Sequence, residues 1–514
     1  MIKIKNNHIN LFFIIPAIIH FCVVLFFTGK YDLNFSEEQK IIFFFTKIIS
    51  FVLIIFLWQV IPFIYNSFIK KNINDLEFIK YSFLYFFINI LFLVVVYPTS
   101  TNHIDIIREY NEIQQYKFDG WQHITTGIDF LVLYNIIPTL WGIIIGNIFI
   151  FSLIFSYCIT NIKEKISEKF YKLSILPFFI PMFIVFNQIP RRNILGCWLF
   201  LFIFLFVLFN KNSSSNKTFS AILFGILSGI YMTSRFEFLP MIIFLPIIVL
   251  LFKLFTTKKY ILYLLSMIFS FTSITYLQEK TVNNSTYQLD NLTFVYWNIK
   301  ANNIQYNGIE TDINTLKKVF PKLEESEMPN FETNNPTNED IKNSITCLKR
   351  MLIKNYMLLV SINKKKLNNK INSNDFLQIQ HSKISDNYPI EEYNFLEKSY
   401  FEHSQKEKLT SVFLYGNDSY KSTKLFNPFY NLFLSYIFIS LMIIIGLIKK
   451  KFIYPMFSFI WLIILSIILS VGMFAQYIYF YAFLFNSWIM FFIFVTELLE
   501  DKSKNKNHSI CINV

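Results

Sequence analysis

Apolar runs near the length of a membrane span recur along most of the chain, broken by short polar stretches. A helix needs about 20 mainly apolar residues to cross roughly 30 Å of hydrocarbon. Twelve runs meet or approach that length: residues 9–28, 41–64, 78–97, 139–159, 172–188, 194–210, 218–234, 238–254, 259–277, 428–448, 452–471 and 474–496. The pattern predicts an all-α polytopic membrane protein of about 12 transmembrane helices. The first run follows Lys3 and Lys5 and has no small-x-small cleavage site after it, so it reads as an uncleaved anchor.

Residues 278–427 break the pattern. They are polar, rich in Asn and Lys, and contain no run of span length. They predict a small extracytoplasmic α or α+β domain inserted between spans 9 and 10. The chain then divides into an N-terminal bundle at 1–277 with an outer loop at 98–130, the insert at 278–427, C-terminal membrane helices at 428–497 and a tail at 498–514. Within the insert, 348–362 predicts an amphipathic helix and 363–375 a loop.

Charge gives the orientation. With the N-terminus in the cytoplasm, alternate connections carry lysine: Lys70 and Lys71, Lys163 and Lys165, Lys211 and Lys217, Lys258 and Lys259, Lys449 to Lys451, Lys502 to Lys506. That is the positive-inside pattern, and it predicts both termini in the cytoplasm. The formal charge of +13 is spread over these membrane-face clusters, which argues against nucleic acid as a partner. Lys47, near the outer end of the second run, is expected to snorkel to the surface.

Composition adds two points. A hydrophobic content of 54% and a mean hydropathy of +0.44 fit a membrane protein of this length. Of 47 basic residues only five are Arg, namely Arg108, Arg191, Arg192, Arg235 and Arg350, and the predicted topology puts all five outside. A guanidinium fork where lysine is the default cation suits a phosphate or another planar anion. The cysteines show no ligand spacing and read as small apolar residues.

Four outer segments carry candidate chemistry. After Tyr97-Pro98, the loop places Asp105, Glu109 and Glu112 at helical spacing, predicting a surface helix with carboxylates on one side. A carboxylate there can serve as general base toward a hydroxyl brought from the outer compartment, and His123 beside that loop is a further candidate for binding substrate or metal. Trp121-Gln122-His123 precedes an amphipathic or re-entrant stretch at 124–138, as interfacial anchors or substrate contacts. Asn187-Gln188 leads into Arg191-Arg192-Asn193 between spans five and six, and Arg235 stands beside Glu237 between spans seven and eight. Arg235 and Glu237 either pair with each other or meet an anionic ligand. Gly142/Gly146 and Gly225/Gly229 predict close helix packing. There is no Walker loop, G-x-G-x-x-G, H-E-x-x-H or G-x-S-x-G.

Over residues 90–250 this arrangement resembles a GT-C type membrane glycosyltransferase, in the bacterial branch related to the polyprenyl- and dolichyl-phosphate-mannose mannosyltransferases. Tyr97-Pro98 followed by Asp105 matches the acidic outer loop of that family. Trp121-Gln122-His123 matches its W-H-P-like element imperfectly, and Arg191-Arg192-Asn193 stands where a Lys-Asp turn is usual. The run from Gly225 to Arg235 matches a small-residue span ending in an Arg turn. The resemblance implies a bacterial inner-membrane enzyme that transfers a sugar, with inversion, from an isoprenoid-phosphate donor to a glycan, lipid or protein acceptor on the outer face. It implies Asp105 as catalytic base and Glu109 as its support, with Mg or Mn as a possible cofactor. Arg191, Arg192, Arg235, Glu237, Trp121 and His123 are then substrate-binding. Two alternatives stay open: a polymerase or ligase of the O-antigen type working through the outer Arg residues, and a lipid or glycan transporter.

Overall fold

The computed structural model describes residues 10–28, 34–96, 104–118, 124–166, 168–188, 192–211, 218–281, 284–321, 323, 337–371, 432–471 and 478–512. Helices dominate the described residues, which contain no strand. Among the described residues, eight helices are long and apolar enough to cross a membrane: Leu11–Thr28, Glu37–Ile69, Ile73–Val94, Leu140–Lys165, Asn193–Asn210, Thr257–Lys280, Ile453–Val471 and Phe480–Ser503. This is the architecture of a multi-pass membrane protein. Residue burial ranks them from centre to edge, with 83% of the window in Asn193–Asn210 buried against 17% in Leu11–Thr28.

The other four predicted runs also hold helices, but shorter ones. Thr218–Ser234 and Leu432–Ile448 each have 17 residues, and Met241–Leu251 has 11. The run at 172–188 is not one helix. Glu168–Ile175 passes into a 3-10 turn at Leu176–Phe179 and then into Pro181–Phe186. Pro177 and Pro181 explain the break, since each lacks an amide hydrogen and its ring clashes with the preceding turn.

Small residues set the closest approach. Thr218–Ser234 and Thr257–Thr281 run parallel and touch through Gly225 and Gly229. A Cβ on Gly225 would come within 2.5 Å of the Tyr263 carbonyl oxygen, and one on Gly229 within 2.8 Å of that of Met267. Backbones this close exclude any side chain, as the spacing predicted. Aromatic rings fill the centre instead. Tyr85 stacks on Phe155 at 4.4 Å and Trp198 on Phe151 at 5.0 Å, offset geometries favoured by the ring quadrupoles.

The described part of residues 278–427, the expected insert, has a separate apolar cluster. Val295, Leu316, Val319, Leu348, Met351 and Leu359 pack between the helices Asn284–Ala301, Ile309–Lys317 and Asn338–Ile371. Asp312 ties them together, accepting from Tyr306 Oη at 2.8 Å and Arg350 at 3.1 Å. The insert is also fastened to the membrane helix Ile453–Val471. Asn298 Nδ2 donates to the Val471 carbonyl at 2.9 Å, Asn363 Nδ2 to that of Leu469 at 2.8 Å, and the Tyr356 and Ser466 hydroxyls lie 2.6 Å apart.

Two boundaries differ from expectation. Residues 363–371, expected as loop, continue the helix, because Asn363 is buried against the membrane helix and lysine tolerates helix well. The last helix, Ile478–Ile512, runs through the expected start of the tail at 498. Its Glu497 and Asp501 meet Lys451 from the preceding turn at 3.2 and 2.8 Å. Burial lowers the Lys451 pKa, and the two carboxylates outweigh it, so the ammonium ends above its ordinary value. Cys158, Cys197 and Cys347 are free and buried.

Candidate functional site

The carboxylate segment forms the predicted helix, Ile104–Gln114. Its buried face carries Glu109, 5% exposed, and Ile113. Residues four apart share a helix face, and Ile113 drags that face inward. Beyond the helix, Tyr116 takes a left-handed conformation at φ 51° and its hydroxyl donates to the Thr28 carbonyl at 2.9 Å. Phe43 packs on the same ring at 5.0 Å, and Gln39 Nε2 donates to the Gln115 carbonyl at 2.9 Å. The helix is thereby pinned to the first two membrane helices.

Lys47 lies beneath this junction and does not snorkel. It is 4% exposed, and its ammonium donates to the Thr28 carbonyl, the Thr28 hydroxyl and Asn135 Oδ1. Three acceptors match three N–H donors, which is how a buried ammonium is tolerated.

The stretch at 124–138 becomes a buried helix, Ile124–Tyr134. It touches the helices Glu37–Ile69, Ile104–Gln114, Leu140–Lys165, Thr218–Ser234 and Thr257–Thr281. Its first residues fix it: the Ile124 amide donates to Gln278 Oε1 at 2.6 Å, and the Thr125 hydroxyl to that of Thr233 at 3.2 Å.

Two residues past Thr233 begins a buried ionic centre. Arg235 pairs with Glu237, the side chains being 4% and 2% exposed, and it also donates to Asn193 Oδ1. Asn193, at the start of its membrane helix, and the segment 235–240 therefore meet. Behind them, Asn187 Nδ2 donates to Tyr85 Oη at 3.0 Å and Asn89 Oδ1 at 3.2 Å, and Trp198 Nε1 donates to Asn187 Oδ1 at 2.8 Å. Gln188 Nε2 reaches the Asn89 carbonyl at 3.3 Å. Tyr85, Asn89, Thr125, Trp198 and Gln278 are members that the sequence reading missed. Their signal was present as isolated polar groups within apolar runs, each costly in hydrocarbon unless partnered.

The expected site residues thus fall into three groups. Arg235 and Glu237 come together with Asn193, and their mutual pairing is the arrangement observed. Glu109 is buried on the helix Ile104–Gln114. The side chains of Asp105 and Arg192, and all of Trp121, His123 and Arg191, lie outside the described residues. Among the described residues no three His, Cys, Asp or Glu side chains converge as metal ligands. Comparison of the chain with protein-family models, with curated proteins and with solved structures returns no match.

Proposed function

We propose that this protein transfers a sugar from an isoprenoid-phosphate donor to an acceptor hydroxyl at the outer face of a bacterial inner membrane. The reading takes twelve spans with both termini cytoplasmic. One observation carries it: segments far apart in sequence, each bearing candidate chemistry, are joined by side-chain bonds. Thr125, just after Trp121 and His123, bonds Thr233, just before Arg235, and Arg235 bonds Asn193, just after Arg191 and Arg192. The outer helix bearing Asp105 packs on the same helix Ile124–Tyr134.

The chemistry follows from the residue types. Asp105 takes the proton of the acceptor hydroxyl as its oxygen attacks the anomeric carbon. The bond from that carbon to the phosphate oxygen breaks, and its electron pair leaves with the isoprenoid phosphate. Arg191 and Arg192 stabilise the charge that develops there. Arg235 joins them when Glu237 releases it. Glu109, the second carboxylate expected at a divalent cation, faces the protein interior, and no step here runs through a metal.

The test is release of isoprenoid phosphate from a short-chain isoprenyl-phosphate mannose by the full chain in proteoliposomes. Asp105→Asn should lower turnover at least about 100-fold with unfolding temperature unchanged. Undiminished turnover in that variant removes the proposed base. The broken helix at 168–186 favours a second reading, transport, because interrupted helices line transporter sites. In that case the same vesicles would move the labelled lipid across the bilayer without releasing phosphate.

A further inference from the structure

The helix Asn338–Ile371 has three kinds of face. Leu348, Met351 and Leu359 are fully buried in the insert's own core. Tyr356 and Asn363 bond Ser466 and Leu469 of the membrane helix Ile453–Val471. The remaining face is polar over Lys342, Thr346 and Lys349, and polar again over Ser361, Lys364 and Lys365. Between those stretches the same face is apolar at Ile353 and Met357, each 77% exposed, while Lys354 beside them turns to the Asn307 carbonyl. A water-facing helix has no reason to change character for two turns and then change back.

The position of the change supplies the reason. Tyr356 bonds a residue five positions before the end of Ile453–Val471, so the apolar stretch lies level with the last turns of a membrane helix. From Tyr356 to Asn363 the insert helix advances seven residues, about 10 Å, while its partner advances three, about 4.5 Å. The insert helix therefore crosses the end of the membrane helix rather than following it. Around its axis, at 100° per residue, Ile353 and Met357 point roughly opposite to Met351 and Leu359. They turn away from the insert's own core, and the lysines at either end are long enough to reach phosphate while their stems stay with lipid.

We propose that Ile353 and Met357 form an interfacial membrane contact, seated at the boundary of headgroups and acyl chains in the leaflet that the insert overlies. The insert is then held over the bilayer surface by lipid as well as by its three bonds to Ile453–Val471. This inference rests on that helix crossing the membrane and is independent of the sugar-transfer reading.

The experiment uses the full chain in phospholipid nanodiscs, in a Cys22→Ser, Cys511→Ser background, with Met357→Cys or Thr346→Cys carrying a bimane fluorophore. Lipids bearing a doxyl quencher near the headgroup should quench the label at 357 at least about twofold more than at 346, and aqueous iodide should show the reverse order. Equal iodide quenching at both positions overturns the proposal. Shielding of 357 from iodide without quenching by doxyl lipid also overturns it, by showing that protein, such as a second copy of the chain, covers the strip.

Discussion

Two Arg–carboxylate pairs in this molecule differ in surroundings rather than chemistry. Arg235 and Glu237 are sealed between membrane helices, at 4% and 2% side-chain exposure. Arg350 and Asp312 hold the insert together, but Arg350 is 49% exposed while Asp312 is 1% exposed. Water can solvate Arg350 if its partner leaves. Nothing comparable is open to Arg235. The lesson is that a pair's importance depends on what remains when it breaks: an uncompensated buried charge in the bundle, a hydrated guanidinium in the insert.

That difference can be sharpened by substitution, read as thermal unfolding in detergent micelles. Glu237→Gln leaves a buried guanidinium without its counter-charge and should cost about 3–5 kcal/mol. Replacing the whole pair, as Arg235→Met with Glu237→Leu, should recover most of that loss, because the charges are removed along with their desolvation cost. A stable but inactive double variant would assign the pair to ligand handling. Asp312→Asn should cost about 1–3 kcal/mol, since a buried acceptor of two bonds is weakened while its partners persist. Arg350→Ala should cost about 1–3 kcal/mol as well, since Asp312, 1% exposed, keeps only the bond from Tyr306. Should Asp312→Asn, which leaves a guanidinium that water can reach, prove as damaging as Glu237→Gln, the contrast between the two environments fails.

The same contrast decides how much was legible in advance. Every apolar run carries a helix, because membrane-crossing segments satisfy their backbone internally and announce themselves by length. Run length did not show that 168–186 would break, although Pro177 and Pro181 stood in plain view. The paired state of Arg235 and Glu237 was readable from their separation by one residue. The network of Tyr85, Asn89, Asn187 and Trp198 was not, because its members come from three separate stretches of chain and each looks like an isolated polar exception. Lys47 misled for a related reason. Its position near a helix end suggested snorkelling, and only the fold reveals that Thr28 and Asn135 supply its acceptors. Glu109 was expected on one helix face with Asp105 and Glu112, and spacing alone did not reveal that it is buried beside Ile113.

The account depends on all these polar turns, and the insert beyond them, sharing the outer side of the membrane. In the background lacking Cys22 and Cys511, Lys300→Cys in the insert and Lys450→Cys in the opposite turn can be treated with a membrane-impermeant maleimide in intact spheroplasts. Labelling of position 300 before lysis, and of position 450 only after it, is the predicted result. Labelling of 450 in intact spheroplasts with 300 protected would invert the topology and leave the proposed donor and acceptor without a common face.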